Sequence, residues 1–214
     1  MKIKWFGQAS FLITSEAGLR IITDPYAPSE RIPYREIEES ADIVTVSHGH
    51  GDHSNVAGVK GNPAVVKETK EVKGIKFKAI SAFHDASGGG QRGNMTIFCF
   101  EVDGIRICHL GDLGHQLDAK QIAEIGKVDI LLIPVGGNFT IDAKTATEVY
   151  EKLAAKIVIP MHYKNARCPN FPVAGVEDFI SGKSNATRLE VSQAEFKDGV
   201  LPTAPQIVVL TPAR

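Results

Sequence analysis

Six consecutive residues, His48-Gly49-His50-Gly51-Asp52-His53, put four metal-binding side chains into one short stretch. No other feature constrains the chain as strongly. In an extended segment His48 and His50 project to the same side, so one ion takes both imidazoles; Gly49 and Gly51 then let the chain bend and send Asp52 and His53 toward a neighbouring ion. Imidazole and carboxylate suit zinc, iron, manganese or cobalt, and a mixed set leaves a coordination position open for water. One histidine alone reads as well as a solvated loop residue; four donors in six residues do not.

The rest of the chain supplies further donors at similar places. The cluster follows an apolar run, Ile43 to Val46. His84 follows the run that ends at Ile80, Asp112 follows Ile105 to Leu110, and His162 follows Ile157 to Pro160. Each candidate therefore lies just past the C-terminal end of a strand, where loops on a rigid sheet let side chains converge. Taken singly, His84 and His162 also read as buried structural histidines, and Asp112, after Gly111, as a turn residue.

Strand patterns dominate the N-terminal third: Lys2 to Phe6, Ser10 to Thr14 and Leu19 to Thr23, punctuated by Gly7 and Gly18. Ile75 to Ala79 alternates with the period of a half-buried strand. Met95 to Val102 and Ile105 to Leu110 flank Asp103-Gly104, a two-residue hairpin signal. Ile130 to Pro134, Ile157 to Pro160 and Ile207 to Leu210 read as further strands. The clearest helix carries Ala143, Ala146, Val149, Tyr150, Leu153 and Ala154 on one face behind an N-cap at Asp142. Weaker helical patterns cover Ala119 to Ile125 and Val176 to Ile180. Strands first, then strands mixed with helices, imply an α/β fold of sheets covered by helices.

At 214 residues and 43% hydrophobic content the chain buries a substantial core, and residues 1–214 read as one domain without linker or repeat. Lys+Arg at 24 against Asp+Glu at 25 leave a net charge of -1, which gives no footprint for nucleic acid. Cys99, Cys108 and Cys168 are odd in number and lack metal-site spacing, so they read as reduced thiols. Gly7, Gln8 and Ser10 break the apolar run that an export signal needs, and no 18-residue apolar stretch exists. The expectation is a cytoplasmic protein with a small-molecule substrate, no membrane partner, and an oligomeric state left open, a homo-oligomer included.

The run His48 to His53 matches the HxHxDH signature of the metallo-β-lactamase superfamily without a departure, and His84, Gly111-Asp112 and His162 follow in that family's order. The segments His109 to His115, Pro134 to Asn138 and Ile159 to Tyr163 resemble the branch of metal-dependent hydrolases related to bacterial ascorbate-6-phosphate lactonase. This resemblance covers Trp5 to about Tyr163 and implies a four-layer αβ/βα sandwich with metals in a cleft at one edge of two sheets. It also implies two divalent transition-metal ions, zinc or manganese. His48, His50 and His84 would hold the first, Asp52, His53 and His162 the second, and Asp112 would bridge them. Asp24 matches the family's early Asp, which supports the ligand loop; an ordinary turn at Asp24-Pro25 is the other reading. Two ions sharing a water bring its pKa toward neutrality, giving a bridging hydroxide that attacks an electrophilic carbon or phosphorus of a small, anionic or neutral, ester, lactone or phosphoester.

Other residues are candidates for supporting parts. His115, three residues beyond Asp112 and not needed as a ligand, is the candidate acid for a leaving group, with a surface role as the alternative. His109, inside a strand, reads as packed. Asn138 and Tyr163 are candidates for lining the substrate site, packing or a turn being the other reading. Ser87 to Asn94 lacks the Gly-Lys-Ser/Thr ending of a phosphate-binding loop and reads as a mobile rim, in which Arg92 is a candidate anchor for a substrate carboxylate or phosphate. Lys164 is a weaker candidate of the same kind. The chain has no room for the added domains of the nuclease, glyoxalase II or flavodiiron branches. A metal-binding ligand sensor of the same fold, without turnover, is the alternative from a different class.

Overall fold

Strands in which large apolar residues occupy both faces need a layer on each side. Here the first sheet satisfies this with one helix-free layer and the second with helices. The computed structural model describes residues 1–214. The strands are β1 (Lys2–Gly7), β2 (Ser10–Thr14), β3 (Arg20–Thr23), β4 (Ile43–Thr45), β5 (Ala64–Val66), β6 (Lys70–Val72), β7 (Ile75–Phe83), β8 (Asn94–Val102), β9 (Ile105–His109), β10 (Ile130–Pro134), β11 (Ile157–Met161), β12 (Ala186–Arg188), β13 (Gln193–Glu195) and β14 (Gln206–Val209). The helices are α1 (Ala119–Ile125), α2 (Ala143–Leu153) and α3 (Glu177–Ile180). A six-stranded sheet runs β13-β1-β2-β3-β4-β5, and an eight-stranded sheet runs β12-β14-β11-β10-β9-β8-β7-β6. This is the expected mixed α/β architecture of two sheets.

Alternation decides which side chains meet. Ile3, Trp5, Phe11, Ile13, Ile21 and Ile43 enter the main core with the second sheet, whereas Phe6, Leu12, Ile22, Val44 and Val46 face the other way into a smaller cluster. That cluster is closed by Tyr26, Ile32, Tyr34 and Ile37 from the irregular chain between β3 and β4, and by Phe171 and Val173. Burying an isoleucine such as Ile32 or Ile37 contributes about 1.5–3 kcal/mol, so a few anchors hold this stretch without a helix. Helices lie against the second sheet, with α1 on β7, and α2 on β10 and α3. No helix is long and apolar enough to cross a membrane.

Local signals act as their chemistry dictates. Asp103 and Gly104 both have positive φ, 51° and 76°, as the tight β8–β9 hairpin requires. Asp142 caps α2 by accepting from the Thr145 amide at 2.8 Å. Asp118 and Gln121 form a reciprocal capping box at α1. β7 runs on past the expected Ala79 to Phe83, because β8 pairs with it from Lys78 to Phe83. β5, β6, β12 and β13 were not legible as strands. Each is three residues long, and together they are the four sheet edges, where one-sided pairing asks little of the sequence.

The direction of the strands positions the site. β3, β4 and β5 are parallel, as are β9, β10 and β11, while β7 is antiparallel to β8 and so runs with β9. The ends of β3, β4, β7, β9 and β11 therefore open on one rim, and each is followed by a candidate ligand or its support.

Away from that rim, Asp129 joins β9, β10 and β11: its Oδ2 accepts from Arg106 Nε at 2.7 Å and the Arg106 amide at 3.1 Å, and its Oδ1 forms an ion pair with Lys156 Nζ at 3.0 Å. Burial alone would push its carboxyl up, but the Arg106 bonds and then Lys156 hold it down at about 2. A depressed pKa contributes stability that is present above the ordinary carboxylate range and is lost as pH falls through about 2. Asp129→Asn should lower Tm at pH 7 by roughly 2–4 °C, the shift that loss of about 1 kcal/mol produces in a chain of this size. Thermal melts should show the gap closing between pH 4 and 2; a gap independent of pH would rule out the ion-pair account.

Candidate metal centre

The site is assembled around Asp24, whose backbone takes the left-handed conformation (φ 38°) at the end of β3. Its Oδ1 accepts from the Ser47 amide at 2.7 Å, and its Oδ2 accepts from Ser47 Oγ at 2.5 Å and His53 Nδ1 at 2.9 Å. Ser47 Oγ in turn accepts from His48 Nδ1 at 3.0 Å. Both imidazoles are thereby locked with Nε2 turned into the cleft, the arrangement by which supporting hydrogen bonds orient metal-binding histidines. Asp24 thus occupies the supporting position rather than serving as an ordinary turn. The ligand loop itself departs from the extended geometry expected for it. Residues 47–53 are a run of bends and a turn, with the His53 amide bonded to His50 O at 3.0 Å. His48 Nε2 and His50 Nδ1 nevertheless converge, 3.0 Å apart.

Asp112 is the hub. Its Oδ2 lies 3.0 Å from His53 Nε2, 3.3 Å from His84 Nε2, 3.4 Å from His162 Nε2 and 4.0 Å from His48 Nε2. The backbone around it is tightly fitted. Gly111 has φ 50°, and a Cβ there would fall 2.9 Å from Ser47; at Gly114 it would fall 2.3 Å from the His84 carbonyl carbon. His162 also adopts a left-handed φ of 53°, and its amide donates to Gln8 O at 3.2 Å. Gln8 Nε2 donates to Asp52 Oδ2 at 2.9 Å, so this residue, unmarked in the sequence except as part of the β1–β2 turn, ties two ligand loops together.

Electrostatics follow from burial and crowding. Burial would raise Asp112, yet the His162 and His53 imidazoles beside it drag its carboxyl far below the ordinary range. Asp52 is lowered as well, burial being outweighed by the His53 imidazole, whose Nε2 lies 3.4 Å from its Oδ2. His53 is 0% exposed, which opposes its charge, but Asp112, Asp24 and Asp52 raise its pKa well above the ordinary value. Burial and then the neighbouring His53 push His48 down to about 4, and burial lowers His84 too. Three carboxylates thus surround a site that needs positive charge, while two of its imidazoles are biased to the neutral, metal-binding form.

The donor set fits metal. His48, His50 and His84 form one group and Asp52, His53, Asp112 and His162 another, the donor atoms in each lying within 4.8 Å of one another. His53 Nε2 and Asp112 Oδ1 are buried with no hydrogen-bond partner. Such orphaned polar atoms are costly unless something binds there.

A cavity of about 350 Å³ opens over this centre. His50, Asp52, His84, Asp112 and His162 reach it, together with Ala27, Pro28, Ser29, Arg31 and Ile32 and the side chains of Phe139 and Phe171. Arg92 lines it, as expected of a substrate anchor; Arg31, Phe139 and Phe171 were not foreseen, because nothing in local sequence marks them. Three other expectations need correction. His115 is outside the cavity, its Nδ1 donating to Gln116 O at 2.7 Å and its Nε2 accepting from the Phe83 amide at 3.1 Å, so neither nitrogen faces a leaving group. Asn138 donates to Pro172 O at 2.8 Å and fixes a loop. Tyr163 is buried against Trp5 with ring centroids 5.1 Å apart, and it lines a different cavity together with Lys164. His109 is packed, as expected, donating to Ala9 O at 2.9 Å. Ser87 to Asn94 is not a loose rim, for the Asp85 carboxylate organises it.

Two sheets with His and Asp donors gathered at one rim define a metal-dependent hydrolase of a known class. Residues 2–162 match the family described as "Beta-lactamase superfamily domain". A UPF0173 metal-dependent hydrolase from Carboxydothermus hydrogenoformans is 37% identical over 76% of this chain and 84% of its own length. Another from Pelotomaculum thermopropionicum is 30% identical over 99% and 97%. A crystal structure from Thermotoga maritima, described as a candidate zinc-dependent hydrolase of the metallo-β-lactamase superfamily, is 39% identical, with a TM-score of 0.80 over 98% of this chain and 97% of that one. The chain belongs to the UPF0173 metal-dependent hydrolases of the metallo-β-lactamase superfamily.

The supporting role of Asp24 is directly measurable. Asp24→Asn should weaken zinc binding by about 10–100-fold, the usual cost of losing the partner of a metal-binding histidine. Chelator competition on the folded variant reads this out, and unaltered affinity would reduce Asp24 to a loop tie.

Proposed function

We propose that this protein hydrolyses a small ester, lactone or phosphoester at a dinuclear centre, using zinc or manganese. The observation that carries the reading is the position of Asp112 Oδ2, within 4.0 Å of four imidazole nitrogens drawn from both donor groups. In this reading His48, His50 and His84 hold one ion, Asp52, His53 and His162 the other, and Asp112 is shared. When bound, the ions supply Lewis acidity and a water acidic enough to act as nucleophile near neutral pH. The chain's own contribution is to fix the donors through Asp24, Ser47 and Gln8, to keep a shaped cleft above them, and to orient the substrate against its walls. With His115 turned away, no side chain of the chain is assigned as leaving-group acid. Residues 1–214 act as one domain in this reading, since both sheets deliver donors to one centre. Free Cys99, Cys108 and Cys168 are consistent with a reducing, cytoplasmic setting. Lactones stand in the substrate set on the sequence resemblance to the lactonase branch.

Elemental analysis of the loaded protein should find about two transition-metal ions per chain, and a reproducible value below one in folded protein would sink the dinuclear reading. Chelation should abolish hydrolysis of an activated ester or lactone, with zinc or manganese restoring it; a sensor would bind metal-dependently without turnover. Asp112→Ala should lose metal and activity together. His115→Ala should retain metal and leave the ratio of rates on poor and good leaving groups unchanged; a selective loss of roughly 10²-fold on the poor leaving group would instead restore His115 as an acid.

A further inference from the structure

Arg92 does not hang freely at the mouth of the cleft. Its guanidinium sits over the Phe139 ring, 4.7 Å from the centroid. That stacking fixes the plane of the fork while leaving its N–H edge available for a bidentate anion. Among the ion pairs of the chain neither Arg92 nor Arg31, which lines the same cavity, takes part. Two arginines thus flank the metal donors without a carboxylate partner of their own.

The backbone that carries Arg92 is held by a single buried side chain. Asp85, 6% exposed, follows the candidate ligand His84 directly. Its Oδ1 accepts from the Ser87 amide at 2.8 Å, Ser87 Oγ at 2.6 Å and the Gly89 amide at 3.0 Å. Its Oδ2 accepts from the amides of Gln91 at 3.0 Å and Arg92 at 2.7 Å. The loop is closed by the His84 amide on Gly93 O at 3.0 Å. Gly88 and Gly89, at φ 70° and 84°, let successive amides turn inward on this carboxylate. From a metal donor at one end to a guanidinium at the other, the loop is therefore one hydrogen-bonded ring.

We propose that the cleft selects substrates bearing a carboxylate or phosphate-type anion beside an apolar segment, with Arg92 and Arg31 binding the anion, Phe139 and Phe171 packing the apolar part, and Asp85 acting as the positioning residue for Arg92. This rests on the reading of the cleft as a hydrolase's substrate site. A cavity of about 350 Å³ admits a compact molecule only. A fork fixed in advance recognises an anion at low ordering cost.

Matched probes test this on the zinc-loaded protein by calorimetric titration: 3-phenylpropionate, 2-phenylethylphosphonate and neutral 3-phenylpropionamide. The anions should bind roughly 10–100-fold more tightly than the amide, as charge-assisted pairs allow, and the larger gain identifies carboxylate or phosphate as the preferred group. Arg92→Gln should remove most of that preference with amide affinity and zinc content unchanged. Asp85→Asn keeps acceptors for Ser87 and Gly89 but puts an amide where Gln91 and Arg92 donate, and should weaken anion binding several-fold with zinc and amide binding intact. Equal binding of all three probes, or an anion preference that survives Arg92→Gln because the anion sits on the metal, overturns the clamp. Zinc loss in Asp85→Asn, or unaltered anion affinity, overturns the role given to Asp85. These titrations need no turnover, so Arg92-dependent binding without hydrolysis of any ester would sink the hydrolase reading alone, and hydrolysis indifferent to Arg92 the clamp alone.

Discussion

The carboxylate of Asp112 is 2% exposed and carries its charge among four imidazoles. A buried anion of this kind is tolerable only where cationic charge is supplied to it, and the imidazole protons of a metal-free site supply that charge imperfectly. Much of the surrounding structure serves this one requirement. Gly111 and Gly114 allow the chain on either side of Asp112 to pass against Ser47 and His84, and the left-handed turn at His162 swings its ring toward the same oxygen. Strained backbone at such positions persists only where the packing around it over-determines the conformation. Here the two sheets do that, because β4, β7, β9 and β11 all end on one rim.

The metal donors were legible because their chemistry is dense and their positions follow from strand ends. The same logic placed Asp24 after β3 and Asp142 and Asp103-Gly104 at their cap and turn. Residues whose roles depend on where a side chain points were not legible. His115 has the right spacing from Asp112, but the Phe83 amide and Gln116 carbonyl claim both its nitrogens. Tyr163 follows a ligand in sequence and yet packs on Trp5 within the main core. Conversely, Gln8, Phe139 and Arg31 carry no local signature, since each acquires its part through contacts with distant segments, whereas Asp85 works within its own loop, where its part depends on amides that only the folded turn directs inward. The edge strands escaped for a related reason: Lys70–Val72 and Gln193–Glu195 are polar triplets whose extended form comes from a neighbour's ladder rather than from their own preference.

Rigidity is distributed unevenly around the cleft. On one side the Asp85 carboxylate gathers the amides of the glycine-rich loop and so holds the backbone that carries Arg92. Pre-organisation of this sort is what fixed donors and forks require if they are to act without reordering when a ligand arrives. The segment Ala27 to Ile32 is built by different means, for it belongs to the chain between β3 and β4 that covers the first sheet in place of a helix.

That helix-free cover has an evolutionary consequence. Tyr26, Ile32, Tyr34 and Ile37 are its buried anchors, while Pro28, Ser29, Glu30 and Arg31 between the first two are exposed. The four exposed positions belong to no helix or strand and form no part of either apolar core; apart from Ser29, whose backbone and hydroxyl bond to Ile32, their side chains can change at little cost to folding. Pro28, Ser29 and Arg31 also border the cavity. One wall can therefore change in shape and charge while the metal donors keep their places, and descendants of a single scaffold can diverge in what they accept without first losing the ability to fold.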